Sequence, residues 1–482
     1  MREMISDYWI VALLANIVAA SAVTIHAVLW KRETRAVVAW VGLAWLSPIL
    51  GAIAYFLLGV NRIQRRATAL KIRKRWRPHD ALPLTPKEID QREKIVDDHP
   101  NLVGLATLGD RLTGRPVLPG NQVEPLLNGD EAFPRMLRAI EEASQSVLLA
   151  SYIFDSDRAG EKFLEALVAA GRRGVEVRVL IDAVGSKYSK PNMVRRLQRA
   201  GLKAAAFLPT RIPRLAQYAN MRNHRKILVV DGKLGFTGGT NIREDHWLSL
   251  QPKFPVECLH FEIRGPVVAQ LEEAFAIDWA FTTGELLAGE QWFPKLERAG
   301  TVWARGITHG PDEDFEKMTH TMIGALAVAR RRARIVTPYF LPESPLIAAL
   351  NVAAMRGVDV EILLPEVNNI RLVQWAMMAQ LWQVLDKGCR VFFSPPPFDH
   401  TKLMVVDDVW TLIGSTNWDP RSLRLNFEFN VECYSESFAQ KLNHVIDAKL
   451  AEARKATSDD LKERPFYVKL RDGFARLLSP YL

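Results

Sequence analysis

The sequence predicts an α/β protein in which an N-terminal transmembrane helical hairpin precedes two repeated α/β domains that share one cleft. Three observations carry this reading. Two long apolar stretches open the chain, a strand–helix–strand unit occurs twice, and one His/Lys/Asp pattern is repeated with every spacing kept.

The first apolar stretch runs from Tyr8 to Trp30, with His26 as its only potentially charged member, and the second, Val37 to Val60, holds no charge. A helix needs ~20 apolar residues to cross a bilayer, so each can span as a helix. A signal peptide is the rival for the first, but Trp30-Lys31 is no small-residue cleavage site and a second span follows directly. Lys31, Arg32 and Arg35 lie in the loop. Arg62, Arg65, Arg66, Lys71, Arg73, Lys74, Arg75 and Arg77 follow the second span, which places the downstream region in the cytoplasm.

Those eight residues account for nearly all of the formal net charge of +9. The basicity is therefore local, suited to anionic headgroups rather than to a nucleic-acid cleft. Its plain alternative is a solvated linker. Cys258, Cys389 and Cys433 stand far apart without a CxxC or Cys/His cluster, so neither a disulfide framework nor a zinc site is indicated and each reads as a small core residue. From Asp80 to Pro100 a polar, proline-bearing stretch reads as a linker.

Beyond it, SVLLASYIF (146–154) reads as a buried strand, 161–173 as a helix and 175–181 as a second strand. The same order returns in RIVTPYFLP (334–342), a helix over 346–355 and a strand over 357–365. AALNVAAMRGVDVEILLP echoes EALVAAGRRGVEVRVLID closely enough to mark an internal repeat. Strand, helix, strand with short turns argues for a parallel sheet covered by helices.

Each half then carries one chemical motif. NHRKILVVDGKLGFTGGTN holds His224, Lys226, Asp231, Gly238, Gly239 and Asn241; DHTKLMVVDDVWTLIGSTN holds His400, Lys402, Asp407, Gly414, Ser415 and Asn417. In both, lysine stands at +2 from the histidine, aspartate at +7, glycine at +14 and asparagine at +17. In a strand beginning at the histidine, His and Lys two apart project to one face and reach one phosphate. Lysine supplies a point charge, asparagine an amide donor, and histidine covalent or proton chemistry. Asp231 and Asp407, an odd number of residues on, pair with backbone or a basic side chain and shape the turn. A lone histidine at a strand start is usually structural; repetition of the whole set reverses that.

These are the HxKxxxxD signatures of the phospholipase D superfamily, and the chain resembles bacterial cardiolipin synthases well beyond them. The first half does so in GNQVEPLLNGDEAF, SYIFDSDRAGEKF, GVEVRVLIDAVGS and RNHRKILVVDG; the second in TPYFLPE, RGVDVEILLP, IGSTNWDPRSLRLNFE and LLSPYL. The N-terminal stretch matches at Trp40, Pro48, Gly51, Tyr55 and Gly59 to Arg62. The resemblance implies a multi-pass protein of the bacterial inner membrane, with residues 1–62 as hairpin, 63–110 as basic juxtamembrane segment and linker, and domains at 111–295 and 296–482. It implies phospholipid substrates, no cofactor, no metal and no nucleic acid. One phosphatidylglycerol gives its phosphatidyl group to another, yielding cardiolipin and glycerol through a phosphatidyl-histidine. By family analogy His224 is the nucleophile and His400 the acid/base, with Lys226 and Lys402 beside them, Asn241, Asn417 and Ser415 supporting the phosphate, and Asp231 and Asp407 completing the motifs. Water as acceptor, which makes the chain a hydrolase yielding phosphatidic acid, phosphatidylethanolamine as donor, a nuclease and a catalytically decayed scaffold are the rivals.

Catalytic histidines are held by a carboxylate. Glu428, at +28 from His400, matches the family position. The first half departs from the pattern, since Cys258 stands two residues before His260 where the family has aspartate, and adjacent Glu257 points to the other face of a strand. Arg243 and His246 replace the usual glycine and tyrosine, and Trp418 follows Asn417 where an aliphatic residue is common; both His246 and Trp418 read as local repacking. Tyr152, Phe154, Tyr339 and Phe340 end corresponding strands and read mainly as core. Phe466 to Leu482 reads either as an amphipathic helix near lipid or as one docked on the protein.

Overall fold

The computed structural model describes residues 2–31, 34–59, 85–188, 190–209, 220–312 and 314–482. The chain falls into two compact units, Met1–Ile63 with Leu208–Met221, and Gln64–Phe207 with Arg222–Leu482.

In the first unit the helix Arg2–Trp30 includes Leu13–Trp30, which is long and apolar enough to cross a membrane. The second apolar stretch is not one helix. It runs as Thr34–Leu46 and Pro48–Ala54, ending in a π-helical turn, Tyr55–Gly59. The break falls at Ser47 because Pro48 has no N–H to donate and its ring crowds the preceding turn, so it opens the next helix. Ala20, Ala27 and Ala44 allow close approach of the helices around Val23 and Tyr55. The Tyr55 hydroxyl lies 2.7 Å from His26 Nδ1, which gives this apolar stretch's ionisable ring a partner. The basic run from Arg62 to Arg77 lies outside the described residues.

In the second unit the stretch expected as linker is helical from Pro86 onward, as Pro86–Asp98 and Pro100–Thr113. Both prolines occupy the first helical position, where no N–H is needed and a fixed φ helps, so they start helices rather than break them.

The first half contributes β1 (Leu118–Leu127), β2 (Ser146–Ser151), β3 (Glu176–Asp182), β4 (Lys203–Phe207), β5 (Arg222–Asn223), β6 (Ile227–Val230), β7 (Leu234–Gly238), β8 (Val256–Glu257) and β9 (Leu259–Arg264). The second contributes β10 (Val302–His309), β11 (Arg332–Val336), β12 (Asp359–Pro365), β13 (Arg390–Ser394), β14 (Phe398–Asp399), β15 (Leu403–Val406), β16 (Trp410–Gly414), β17 (Asn426–Tyr434) and β18 (Arg454–Lys455). The order β4-β3-β2-β6-β7-β9-β1 is mirrored by β10-β17-β16-β15-β11-β12-β13-β18 in one continuous sheet. Its seam is the antiparallel pair β1·β10, with Leu118 opposite Ala304 and Asn121 opposite Val302.

The repeat read from sequence is thus a structural repeat. The predicted parallel pairing holds in β2-β3-β4 and β11-β12-β13, and antiparallel hairpins β6-β7 and β15-β16 make each half mixed. Helices Arg158–Arg172 and Ser344–Met355 connect the parallel strands. Each half packs its own apolar core, one around Phe133, Phe163 and Leu167, the other around Leu350, Ile362 and Trp410. Two short parallel pairs cross between the halves, β5 with β17 and β8 with β14. They position the site.

Candidate active site

The chain leaves β5 at Asn223, paired with Phe427 of the other half, and the next residue is His224, whose N–H donates to the Phe427 carbonyl at 2.9 Å. That register brings Glu428 alongside. Both of its carboxylate oxygens lie 3.0 Å from His224 Nδ1. Glu428 also accepts from Ser415 Oγ and from Asn426 Nδ2 at 3.1 Å. The +28 spacing tied Glu428 to His400 of its own half; the structure corrects this, because the β5·β17 pair exchanges partners across the halves.

The second motif is built the same way. β14 ends at Asp399, paired with Glu257, and His400 N–H donates to the Glu257 carbonyl at 2.7 Å. Its ring finds no carboxylate among the described residues. His400 Nδ1 donates instead to the Gly239 carbonyl at 3.0 Å.

The repeat explains the difference. Gly238 pairs with His260 as Gly414 pairs with Asn430, so Cys258 occupies the place of Glu428 and Gly239 that of Ser415. Cys258 Sγ lies 3.4 Å from the His400 carbonyl oxygen, and burial pushes its thiol up to about 11, so it is neutral. A Cβ on Gly239 would come within 2.5 Å of that sulfur and 2.9 Å of the His400 carbonyl. Glu257 is turned elsewhere, into an ion pair with Lys449 at 2.8 Å.

β6 and β15 begin at Ile227 and Leu403, so each His-x-Lys run is extended chain ahead of its strand rather than its first residues. Each lysine nonetheless returns to its histidine. Lys226 Nζ donates to the His224 carbonyl at 2.8 Å and Lys402 Nζ to the His400 carbonyl at 2.6 Å. Burial pushes the Lys226 ammonium down to about 7, with Lys402 adding to this against the pull of Glu428. Burial likewise brings Lys402 down to about 8.

Burial also holds the His224 imidazole down to about 4, against the Glu428 carboxylate. Burial opposes charge on Glu428, but His224, Lys226 and Ser415 outweigh it and leave its carboxyl below the usual range. The pair therefore rests as a neutral ring donating Nδ1–H to a carboxylate, with the Nε2 lone pair available. His400 is held well below its usual value, first by burial and then by Lys402, His246, Lys226 and His224.

The other predicted residues divide. Asn241 Oδ1 accepts from Ile153 N–H at 3.3 Å, whereas Asn417 Oδ1 is buried without a hydrogen bond among the described residues. Asp231 accepts from the backbone N–H of Ser144, Gln145 and Ser146, and Asp407 from those of Arg330, Arg331 and Arg332. These carboxylates fix the starts of β2 and β11 and do not join the histidines. Tyr152 sets its ring 5.1 Å from His224 and Tyr339 6.2 Å from His400, against the core reading, while Phe154 and Phe340 are core. Trp418 stacks on Phe340 in the core, as repacking predicts. His246 does not follow that reading, for its buried ring lies 6.0 Å from His400. Its replacement of the family tyrosine was the available signal.

The family described as "Cardiolipin synthase, PLD-like domain" matches residues 136–279 and 322–450. The major cardiolipin synthase ClsA of Bacillus subtilis (strain 168) is 31% identical over 94% of this chain and 95% of its own length. The cardiolipin synthase of Geobacillus thermodenitrificans (strain NG80-2) is 32% identical over 99% of this chain and 96% of its own. The crystal structure of phosphatidylserine synthase from Haemophilus influenzae Rd KW20 superposes with a TM-score of 0.59 over 75% of this chain and 95% of that one. At 15% identity this is a likeness of fold alone. With the family matched on both sides of the seam and relatives aligned nearly end to end, the chain belongs to the cardiolipin synthase family of phospholipase D-like proteins.

Proposed function

We propose that this phosphatidyltransferase moves a phosphatidyl group from one phosphatidylglycerol to another in a cleft shared by its halves, giving cardiolipin and glycerol. The observation that carries the shared site is the crossed pairing. Glu428 serves His224 and Gly239 serves His400, so each histidine's Nδ1 is hydrogen-bonded to a residue of the other half.

His224 Nε2 attacks the donor phosphorus, and the bond to the glycerol oxygen breaks as His400 gives that oxygen a proton. The phosphatidyl-histidine ring is cationic, and Glu428 is its counter-charge, which favours His224 over His400 as nucleophile. The phosphodiester anion supplies the counter-charge that keeps His400 and both lysines protonated when substrate is bound. Lys226, Lys402, Asn241 and Asn417 hold the non-bridging oxygens. His400 then takes the proton of the second phosphatidylglycerol's hydroxyl as its oxygen attacks phosphorus and the P–N bond breaks.

Residues 1–62 form the membrane hairpin. At ~1.5 Å per residue, Thr34 to Gly59 outreaches the ~30 Å hydrocarbon core even with a kink at Pro48, and a proline is tolerated in such a helix. Residues 63–110 follow as juxtamembrane segment, with domains at 111–295 and 296–482 on the cytoplasmic face of a bacterial inner membrane, as the basic run after the second span directs.

The test incubates purified full-length protein in mixed micelles with labelled phosphatidylglycerol. Cardiolipin with equimolar glycerol is expected; phosphatidic acid alone identifies water as acceptor and overturns the transferase. His224→Ala and His400→Ala should each abolish product while retaining the wild-type circular dichroism spectrum, and near-wild-type turnover by either rules out the shared site.

A further inference from the structure

The last long helix, Phe466–Leu477, is amphipathic in the wrong sense for a soluble protein. At ~100° per residue, Val468, Asp472 and Ala475 share one face, and this face is the docked one. Asp472 is buried and takes Arg464 and Arg471, while Arg471 lies 4.3 Å from the Trp375 ring centroid on the neighbouring helix Arg371–Met378.

The opposite face is apolar and exposed. Phe466 is 79% exposed, Tyr467 72%, Leu470 49%, Phe474 62%, Leu477 73% and Leu478 48%. These six fall within an arc of roughly 120°. Lys469 and Arg476 border the arc on one side and Arg471 on the other. A groove of about 670 Å³ adjoins the helix, with Trp382, Met378 and Leu461 in its wall and Lys462, Arg464, Lys469 and Arg476 also lining it, alongside Asp386. Lys462, Lys469 and Arg476 make no ion pair with an acidic residue among the described residues.

We propose that this helix and groove form a second membrane-docking face, which lies in the headgroup region of a bilayer rich in anionic phospholipid. An in-plane helix of this kind sinks its apolar face ~5–10 Å below the headgroups while Lys and Arg stay at phosphate level. Tyr467 and Trp382 are the side chains such an interface favours. Charge selects the occupant. A second copy meeting this face would set Lys469, Arg471 and Arg476 against their like, whereas an anionic surface complements all three. The proposal does not depend on which alcohol accepts the phosphatidyl group.

Full-length protein carrying an environment-sensitive label at Phe474→Cys, or at Val352→Cys on another exposed helix as reference, is placed in nanodiscs of phosphatidylcholine with or without phosphatidylglycerol. Lipid-borne nitroxide should quench the Phe474→Cys label several-fold more than the reference, and more strongly with phosphatidylglycerol present. The double variant Lys469→Glu/Arg476→Glu should lose that anionic-lipid increment while keeping wild-type circular dichroism and micellar cardiolipin synthesis. Equal quenching at both sites overturns the proposal. So does a Phe474→Cys label already shielded in lipid-free detergent on a protein that elutes as a dimer, since a second copy then covers the face. Loss of micellar synthesis in wild-type protein bears on the transferase reading alone.

Discussion

Glu428 decides the character of His224. Burial alone drives the imidazole down and the carboxylate pulls it back up, leaving it near 4. Glu428→Gln removes that pull, so the His224 pKa falls further and the acid limb of the kcat/KM profile moves to lower pH. Catalysis at pH 7 should fall by roughly 10²–10⁴-fold, because the cationic ring of the intermediate loses its counter-charge. An acid limb that stays in place at wild-type rate contradicts the pairing. Cys258→Asp is the converse experiment. It puts a carboxylate beside His400, so the His400 pKa rises and the pH–rate profile moves upward in pH; an unmoved profile shows that position 258 does not govern His400. Both histidines, both lysines and the +7 aspartates are legible in the sequence because repetition singles them out. The partner of each ring is not, since it comes from the other half.

The elements show why some structure could be read and some could not. β2 is a buried apolar run, β3, β11 and β12 alternate charged with apolar residues, and the helices between them follow a helical period, so their positions emerge from pattern alone. β5, β8 and β14 are two residues each and have no periodicity to detect. They are nonetheless the strands that aim both histidines. Prolines mislead in both directions: Pro86 and Pro100 open helices inside an expected linker, and Pro48 interrupts an expected continuous span. The turn aspartates belong to this scale as well. Asp407→Ala leaves three backbone N–H groups without their charged acceptor, which should cost about 2–4 kcal/mol in chemical denaturation. A loss of activity without a loss of stability in that variant means Asp407 acts on substrate instead.

Across the whole molecule, the continuous sheet through β1 and β10 and the two crossed strand pairs make the halves interdependent. A duplicated domain has become asymmetric, with a carboxylate-backed histidine in one half and a carbonyl-backed one in the other. The sequence marks the asymmetry through Cys258, and the register shows which histidine it affects. The most direct measurement uses phosphatidylglycerol labelled with ³²P in its phosphate, quenched in alkaline denaturant during the first turnover in micelles, where a P–N bond survives, with the labelled peptide identified by mass spectrometry. Label on the peptide that carries His224, absent in His224→Ala, is the expected result; label on the His400 peptide, or none on either, contradicts a phosphatidyl-His224 intermediate.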